Sequence, residues 1–556
     1  MKTDIFAEIA AGAVNTRRGE LHEPSPPRLP KLFLASGKSD PKAAFKPLPK
    51  IDSAGKLRSE LARERRRHER YLKDLAPGLP SMRISRELVD FQWRLETPED
   101  LADATLPQQG GGAWASVKVP HFGGPLGRAV AYYRTPFELA PEMFGKGALF
   151  IRFGAVDYRA HVFVNGHYLG SHEGFFAPFE FEFSTVARAG ENVLLVKVEN
   201  DAIFMGNAPW GQAEEGDKLY GATGVGWDDP QLGWHCCPPG FGIYQDVRIE
   251  ARSAMHLSDL WVRPFPSGYR AVGDSKNSRS TSGTPSGSPD AEVWIEVWSK
   301  DRKKHAAAFE ISVHGQNFRQ TVVRRLHHSP GTRIIPGVGD LEKPDDNLAV
   351  SLSMGPGLNL VRVPISIPAA RCWEPETPWL YQVQVTLLDE EGKPVDTAKR
   401  QFGMREFRMD TEGSPKGRLY LNGREIKLRG ANTMGFEQQD VFKKDFGQLV
   451  DDILLAKIGH LNFWRLTQRP VQPEVYDYAD RLGLMLQTDL PLFGCMRHGK
   501  FSEGVRQAEE MERLIRSHPS CVLISYINEP FPNAHGQPQR HLGRDSLQAF
   551  FEAADR

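Results

Sequence analysis

Cysteine is scarce in this chain of 556 residues, which holds five: Cys236, Cys237, Cys372, Cys495 and Cys521. They show neither a paired framework nor a C-x-x-C ligand spacing, so reduced thiols and no structural zinc are expected. Net charge is lacking as well. Seventy Lys and Arg balance 70 Asp and Glu, which leaves no global field to recruit nucleic acid or an anionic membrane, although a local patch is still allowed. No run approaches the ~20 apolar residues that a membrane-crossing helix needs. The opening stretch "MKTDIFAEIAAGAVNTRRGE" has its short apolar run broken by Asp4 and Glu8. That fits a secretory signal poorly, and a cytoplasmic location is the default.

What is present is ordinary globular material, with 40% apolar and 25% charged residues. At roughly 100 to 200 residues per domain, the length suggests three or four domains. Residues 1–84 are rich in Pro and charge and read as a partly disordered extension. It carries one helix-like stretch, "SAGKLRSELARERRRHERYLKDL", in which sparse Leu residues sit among interleaved acids and bases. That pattern predicts a solvated helix packed on the surface, not a nucleic-acid arm.

Residues 85–252 change to short strands. "ALFIRFGAVDY" precedes "HVFVNGHYLGS", where Asn165-Gly166 between two alternating runs marks a tight hairpin. "FEFEF" and "NVLLVKVEN" follow, and the absence of a convincing amphipathic helix points to a β-sandwich or jelly roll. Residues 253–406 read as a second β domain, interrupted near 266–290 by a Ser-, Gly- and Pro-dense loop expected to be disordered. Two of its strands flank a Glu-Gly turn in "YQVQVTLLDEEGKPVDTAKRQFG".

From residue 413 the period becomes helical and strand-like by turns. "DFGQLVDDILLAKIGHL" places Phe446, Leu449, Val450, Ile453, Leu454 and Ile458 on one face. With "IKLRGAN" as the first strand, then "LNFWRL", "LMLQTDLP" and "VLISYINEPF", four β-then-α units follow one another to residue 556. This alternation implies a parallel sheet with helical crossovers.

In a parallel barrel, chemistry sits where the C-terminal strand ends converge. Those ends carry Asn432, Arg465, Asp489, and Asn528 with Glu529. One polar residue at a strand end is more often a cap or loop anchor; four successive ends aimed alike weaken that reading. A carboxyl group among apolar neighbours has its pKa raised and can act as a general acid. Glycoside hydrolysis needs such an acid, and retaining enzymes add a second carboxylate about 5–5.5 Å away.

"NEP" at 528–530 resembles the acid/base signature of glycoside hydrolase family 2. "LNGREIKLRGAN" and "NFWRLTQRP" are similar to that family's barrel entry and second-strand segment. "WEPETPWLY" and "FGMREF" resemble the exit from its immunoglobulin-like domain. "VFVNGHYLGSHEGFFAPFEFEF" and "GFGIYQDVRIE" resemble its sugar-binding domain. The resemblance covers residues 85 to 556 in family order and implies a multidomain β and α/β chain. A jelly-roll sugar-binding domain (85–252) would lead to an immunoglobulin-like β-sandwich (253–406) and then the first half of a (β/α)8 TIM barrel (413–556).

It further implies a retaining double displacement on a β-linked glycoside. Glu529 would be the general acid/base, Asn528 the contact to the sugar 2-hydroxyl, and Arg465 a support for the nucleophile's carboxylate. Asp489 and Asn432 would line the pocket. The family's nucleophilic Glu arrives on a later strand, so none is expected in this chain, which alone should be inactive. Neither cofactor nor metal is implied; no nucleic-acid or membrane partner is expected, and a homo-oligomer is allowed.

Met434 and Gln468 stand where β-galactosidases carry His, which counts against galactose specificity. Trp373, Trp379 and Trp464 are expected to pack in cores and not against sugars. The alternative is a non-catalytic carbohydrate-binding or scaffold protein with a vestigial barrel. A sulphur- or metal-dependent enzyme finds little support, because the strand ends offer no His or Cys cluster.

Overall fold

The structure is a computed structural model that describes residues 51–102, 112–123, 129–200, 241–266, 290–300, 305–326, 333–336, 353–413, 415–433, 435–492, 500–528 and 544–555. The loop expected near 266–290 lies almost wholly outside these residues, as do Cys236, Cys237, Met434, Cys495 and Glu529. Among the described residues no helix is long and apolar enough to cross a membrane.

Alternation of apolar and polar residues builds the first two β layers. A six-stranded antiparallel sheet, centred on Ala129–Leu139 and Gly190–Asn200, faces a four-stranded one centred on Val247–Ser253 and Gly147–Phe153. Ala131, Tyr133, Val162, Val196 and Val198 from the first sheet meet Ile151, Phe153, Val247 and Ile249 from the second, all buried. Asn165 and Gly166 take φ of 53° and 82° and close the hairpin between Arg159–Val164 and His167–Glu173, the left-handed pair that such a turn requires.

A second antiparallel sandwich packs a sheet centred on Ala291–Ser299 and Gly357–Ile365 against one centred on Ala308–Gly315 and Tyr381–Leu388.

The C-terminal sheet is parallel, in chain order: β1 (Gly430–Thr433), β2 (Phe463–Leu466), β3 (Met485–Asp489) and β4 (Cys521–Ser525). The first strand is shorter than "IKLRGAN" suggests. Arg424–Ile426 instead joins a three-stranded antiparallel sheet, and β1 begins at Gly430. A Cβ on Gly430 would sit 2.5 Å from the Phe463 carbonyl, so only glycine allows β1 this close to β2.

Crossovers run through α2 (Phe436–Phe442), α3 (Phe446–Ile458), α4 (Pro473–Leu482) and α5 (Phe501–Ile515), and α6 (Arg544–Ala554) follows β4. Asp445 caps α3 by accepting from the Gln448 amide. Leu449, Ile453, Val475, Tyr476 and Met511 on these helices cover Trp464, Leu466 and Leu486.

The charged helix near the N-terminus, α1 (Ala54–Leu72), is mostly solvated and packs on the surface by one face. It lies against α3 and α4 and buries Glu64, His68 and Tyr71. Arg65 pairs with Asp451 at 2.5 Å, and Arg481 donates to the Leu72 carbonyl. Its packed face includes a Glu and a His, so a search for apolar spacing passes over it.

The N-terminal end of the parallel sheet is closed. Trp373 and Leu380 from the sandwich exit, with Leu421, pack on Met485, while Phe463 and Val522 lean on the same cluster. Trp373 and Trp464 are therefore core residues, and Trp379 packs on the sandwich core with its ring edge-on to Tyr71. The Lys457 ammonium donates to the carbonyls of Pro375, Leu482 and Gly483 at 2.7–3.0 Å. Gly483 ends α4 at φ 72°, and a Cβ there would lie 2.3 Å from the Pro375 oxygen. Gly483→Ala is thus expected to cost more than the ~1–2 kcal/mol of left-handed strain alone, read as a fall in the urea midpoint; an unchanged midpoint would remove this contact from the fold's support.

At the same joint, His518 Nδ1 lies 2.7 Å from Asp480 and 3.8 Å from Asp477. Burial acts to lower the His518 pKa, but these two carboxylates lift it above the usual 6.5. A base with a raised folded pKa stabilises fully below its unfolded pKa, and that contribution disappears as pH rises through the folded value. Stability should therefore decline above about pH 6.5, and His518→Gln should flatten the decline, both measured by urea midpoints across that range.

Candidate active site

Parallel pairing puts residues that share a register on one face. Asn432, Arg465 and Gln487 are Cα partners across β1, β2 and β3. Asp489, two residues beyond Gln487, points the same way because strand side chains alternate. Phe463 and Met485, one step below on this face, belong to the apolar floor. The inward face thus turns from apolar to polar toward the C-terminal ends.

Arg465 organises that rim. Its Nε and Nη2 donate to Asp489 Oδ2 at 2.9 and 2.5 Å, and Nη2 also donates to Asn528 Oδ1 at 2.6 Å. Asp489 is fully buried, and it also accepts from Gln487 Nε2 at 2.8 Å and from the Gln468 amide at 3.3 Å. The structure brings together Arg465, Asp489 and Asn528 and leaves Asn432 apart: it is exposed and makes no side-chain hydrogen bond among the described residues.

The fourth strand ends earlier than "VLISYINEPF" suggests, at Ser525. The Asn528 amide then donates to the Leu492 carbonyl at 2.8 Å, holding the chain beside the extension of β3. Asn528 is buried, and its Nδ2 has no hydrogen-bond partner among the described residues. Glu529, the next residue, lies outside them.

One contributor to the rim escaped sequence reasoning, and so did one buried acid on the helix-facing side of β1. Gln487 holds Asp489 from two residues upstream, a spacing that alternation on β3 could have signalled. Glu437, buried on α2, lies 3.1 Å from Thr433 Oγ1, and burial pushes its carboxyl pKa up. It sits in the all-polar run "EQQD", where apolar periodicity gives no clue.

One trio could hold a metal by its donor atoms: Asp477, Asp480 and His518, all within 4.8 Å of one another. Asp480 already accepts from His518, Gln401 and the Ser520 amide, so its oxygens serve the joint between sandwich and barrel.

A jelly roll, a sandwich and a parallel β/α sheet with a polar C-terminal rim make up a multidomain β and α/β architecture. Three models match in sequence: glycosyl hydrolases family 2, sugar binding domain, at residues 121–209; glycosyl hydrolases family 2 at 280–405; and glycosyl hydrolases family 2, TIM barrel domain, at 415–546. The chain belongs to glycosyl hydrolase family 2.

Curated relatives include a β-galactosidase of Alteromonas mediterranea, 22% identical over 83% of this chain and 41% of that protein. A β-glucuronidase of Bacteroides fragilis is 25% identical over 72% of this chain and 50% of that protein. Similar folds include Bacteroides uniformis β-glucuronidase (TM-score 0.57, 18% identity, 84% of this chain and 49% of that one) and Ruminococcus gnavus β-glucuronidase (0.55, 19%, 87% and 72%). The chain spans between a third and a half of the length of such curated relatives.

The rim network sets a stability test. Arg465→Met would leave Asp489 buried without its cation, and losing one partner of a buried pair typically costs about 3–5 kcal/mol. Arg465→Lys, a point charge unable to fork between Asp489 and Asn528, should fall between the two. Urea unfolding measures both, and an Arg465→Met midpoint equal to wild type would refute the pairing.

Proposed function

We propose that this chain carries the acid/base side of a retaining β-glycosidase site. The carrying observation is the Arg465 bridge to Asp489 and Asn528 at the C-terminal rim, immediately before Glu529 in sequence. In this reading Glu529 protonates the departing glycosidic oxygen in the first step and, as carboxylate, deprotonates water in the second. Asn528 receives the sugar 2-hydroxyl. Asp489, enclosed by Arg465, Gln487 and a backbone amide, is a fixed counter-ion that lines the pocket and is a poor candidate to attack carbon. Arg465 retains N–H groups that can also support a nucleophile's carboxylate, and Asn432 faces the same rim.

The nucleophile is assigned to a later barrel strand outside these residues, for which the greater length of the relatives leaves room. The 556-residue chain by itself is then expected to leave β-glycosides intact, since one acid cannot perform both steps. β-Galactosides and β-glucuronides are the first substrates to try, on the printed activities of the relatives.

The test uses a chain extended through the later strands and assayed on aryl and alkyl β-glycosides. Glu529→Gln should lower kcat/KM on alkyl glycosides by about 10²–10⁴-fold, while dinitrophenyl glycosides, which need no proton, should still glycosylate the enzyme at close to the wild-type rate. An unchanged rate on alkyl glycosides removes Glu529 from the mechanism. Sugar binding without cleavage by the extended chain would favour the non-catalytic carbohydrate-binding reading.

A further inference from the structure

At the opposite end of the parallel sheet from this rim, a cleft of about 370 Å³ opens where sandwich and barrel meet. Its walls come from three places: the strand end around Trp261 and Arg263, the sandwich exit at 402–407, and the lead into β4 at 516–519. The volume lies at the small end of the range for ligand sites.

The charges in the lining do not cancel. Arg516 is matched by Asp259 at 2.6 Å, and His518 by Asp480. Arg405 gives Nε to the Pro519 carbonyl at 3.0 Å and Nη2 to the Cys521 carbonyl at 2.7 Å. Carbonyls carry no formal charge, so the guanidinium keeps its own, and no carboxylate lies within ion-pair distance among the described residues. Arg263 likewise lacks a carboxylate partner there and rests over Phe265 at 5.4 Å. Glu406 is the one acid in the lining. Trp261, fixed by its Nε1 bond to the Arg516 carbonyl at 3.0 Å, and Phe407 supply apolar wall.

We propose that this cleft binds a small anion, a carboxylate or phosphate carried on a body of monosaccharide size. Arg405 and Arg263 hold the charge, and Trp261 and Phe407 flank the ring. Guanidinium suits both anions, because its planar fork matches two acceptor oxygens at once. A bound ligand would touch both the sandwich and the β4 lead and so brace the joint between them.

The intact 556-residue chain is titrated with glucose 6-phosphate, glucuronate and neutral glucose, followed by calorimetry and tryptophan fluorescence. At least one of the two anions should bind, at least tenfold more tightly than glucose, and should raise the thermal midpoint. The tighter of the two identifies phosphate or carboxylate as the recognised group. Arg263→Ala, at a residue whose side chain makes no hydrogen bond among the described residues, should weaken binding at least tenfold. Arg405→Gln should do the same, and if that variant fails to fold, Arg263→Ala decides. Equal binding of all three sugars, binding of none, or wild-type affinity in Arg263→Ala would overturn the proposal.

Discussion

One buried indole fixes how the domains of this chain meet. Trp373 has no exposed surface; its amide donates to the Met404 carbonyl, and its Nε1 donates to the Asp480 carbonyl at the C-terminal end of α4. Its own carbonyl accepts from Asn422 Nδ2. Sandwich exit, short antiparallel sheet and barrel helix are thereby tied to a single residue. Removing a buried Trp side chain typically costs about 3–5 kcal/mol, and here the Asp480 carbonyl would lose its indole donor as well.

That joint decides where chemistry can occur. Parallel strands present two unlike ends, and at one of them Trp373, Leu421 and Met485 form an apolar plug. The polar residues of the inward face therefore gather at the other end, where β2 and β3 finish. A charged pair such as Arg465 with Asp489 tolerates this position because its side is partly open: the Arg465 side chain keeps 23% of its exposure while Asp489 keeps none. Placed among the floor residues, the same pair would carry a desolvation cost that its attraction does not repay.

Much of this was legible from the chain alone, where a period of two or of 3.6 reported a single buried face. Both β layers, the Asn165-Gly166 turn and the four β/α units follow from such patterns, and the residue types at the strand ends mark the rim. Periodicity could not reveal which face of α1 packs, since that face uses Glu64 and His68, nor the split of "IKLRGAN", which depends on Gly430 meeting a backbone carbonyl. It also missed the reach of Arg465 across β3 to Asn528. Contacts between three strands depend on side-chain length and register together, and neither is written in a local window.

The orientation of Asn528 follows from its neighbour's chemistry. An Asn amide can face a partner with either its oxygen or its nitrogen, and the hydrogen-bond network has to decide. Arginine offers only donors, so the Arg465 bond assigns the oxygen to itself and turns Nδ2 away. That nitrogen is buried and finds no acceptor among the described residues, although leaving a buried donor unmet costs about 1–3 kcal/mol. Under the proposed reading a sugar hydroxyl would accept from it, and the bond would be strongest once a glycoside fills the rim. Arg465 then acts on the substrate at one remove, by fixing which end of the amide the substrate meets.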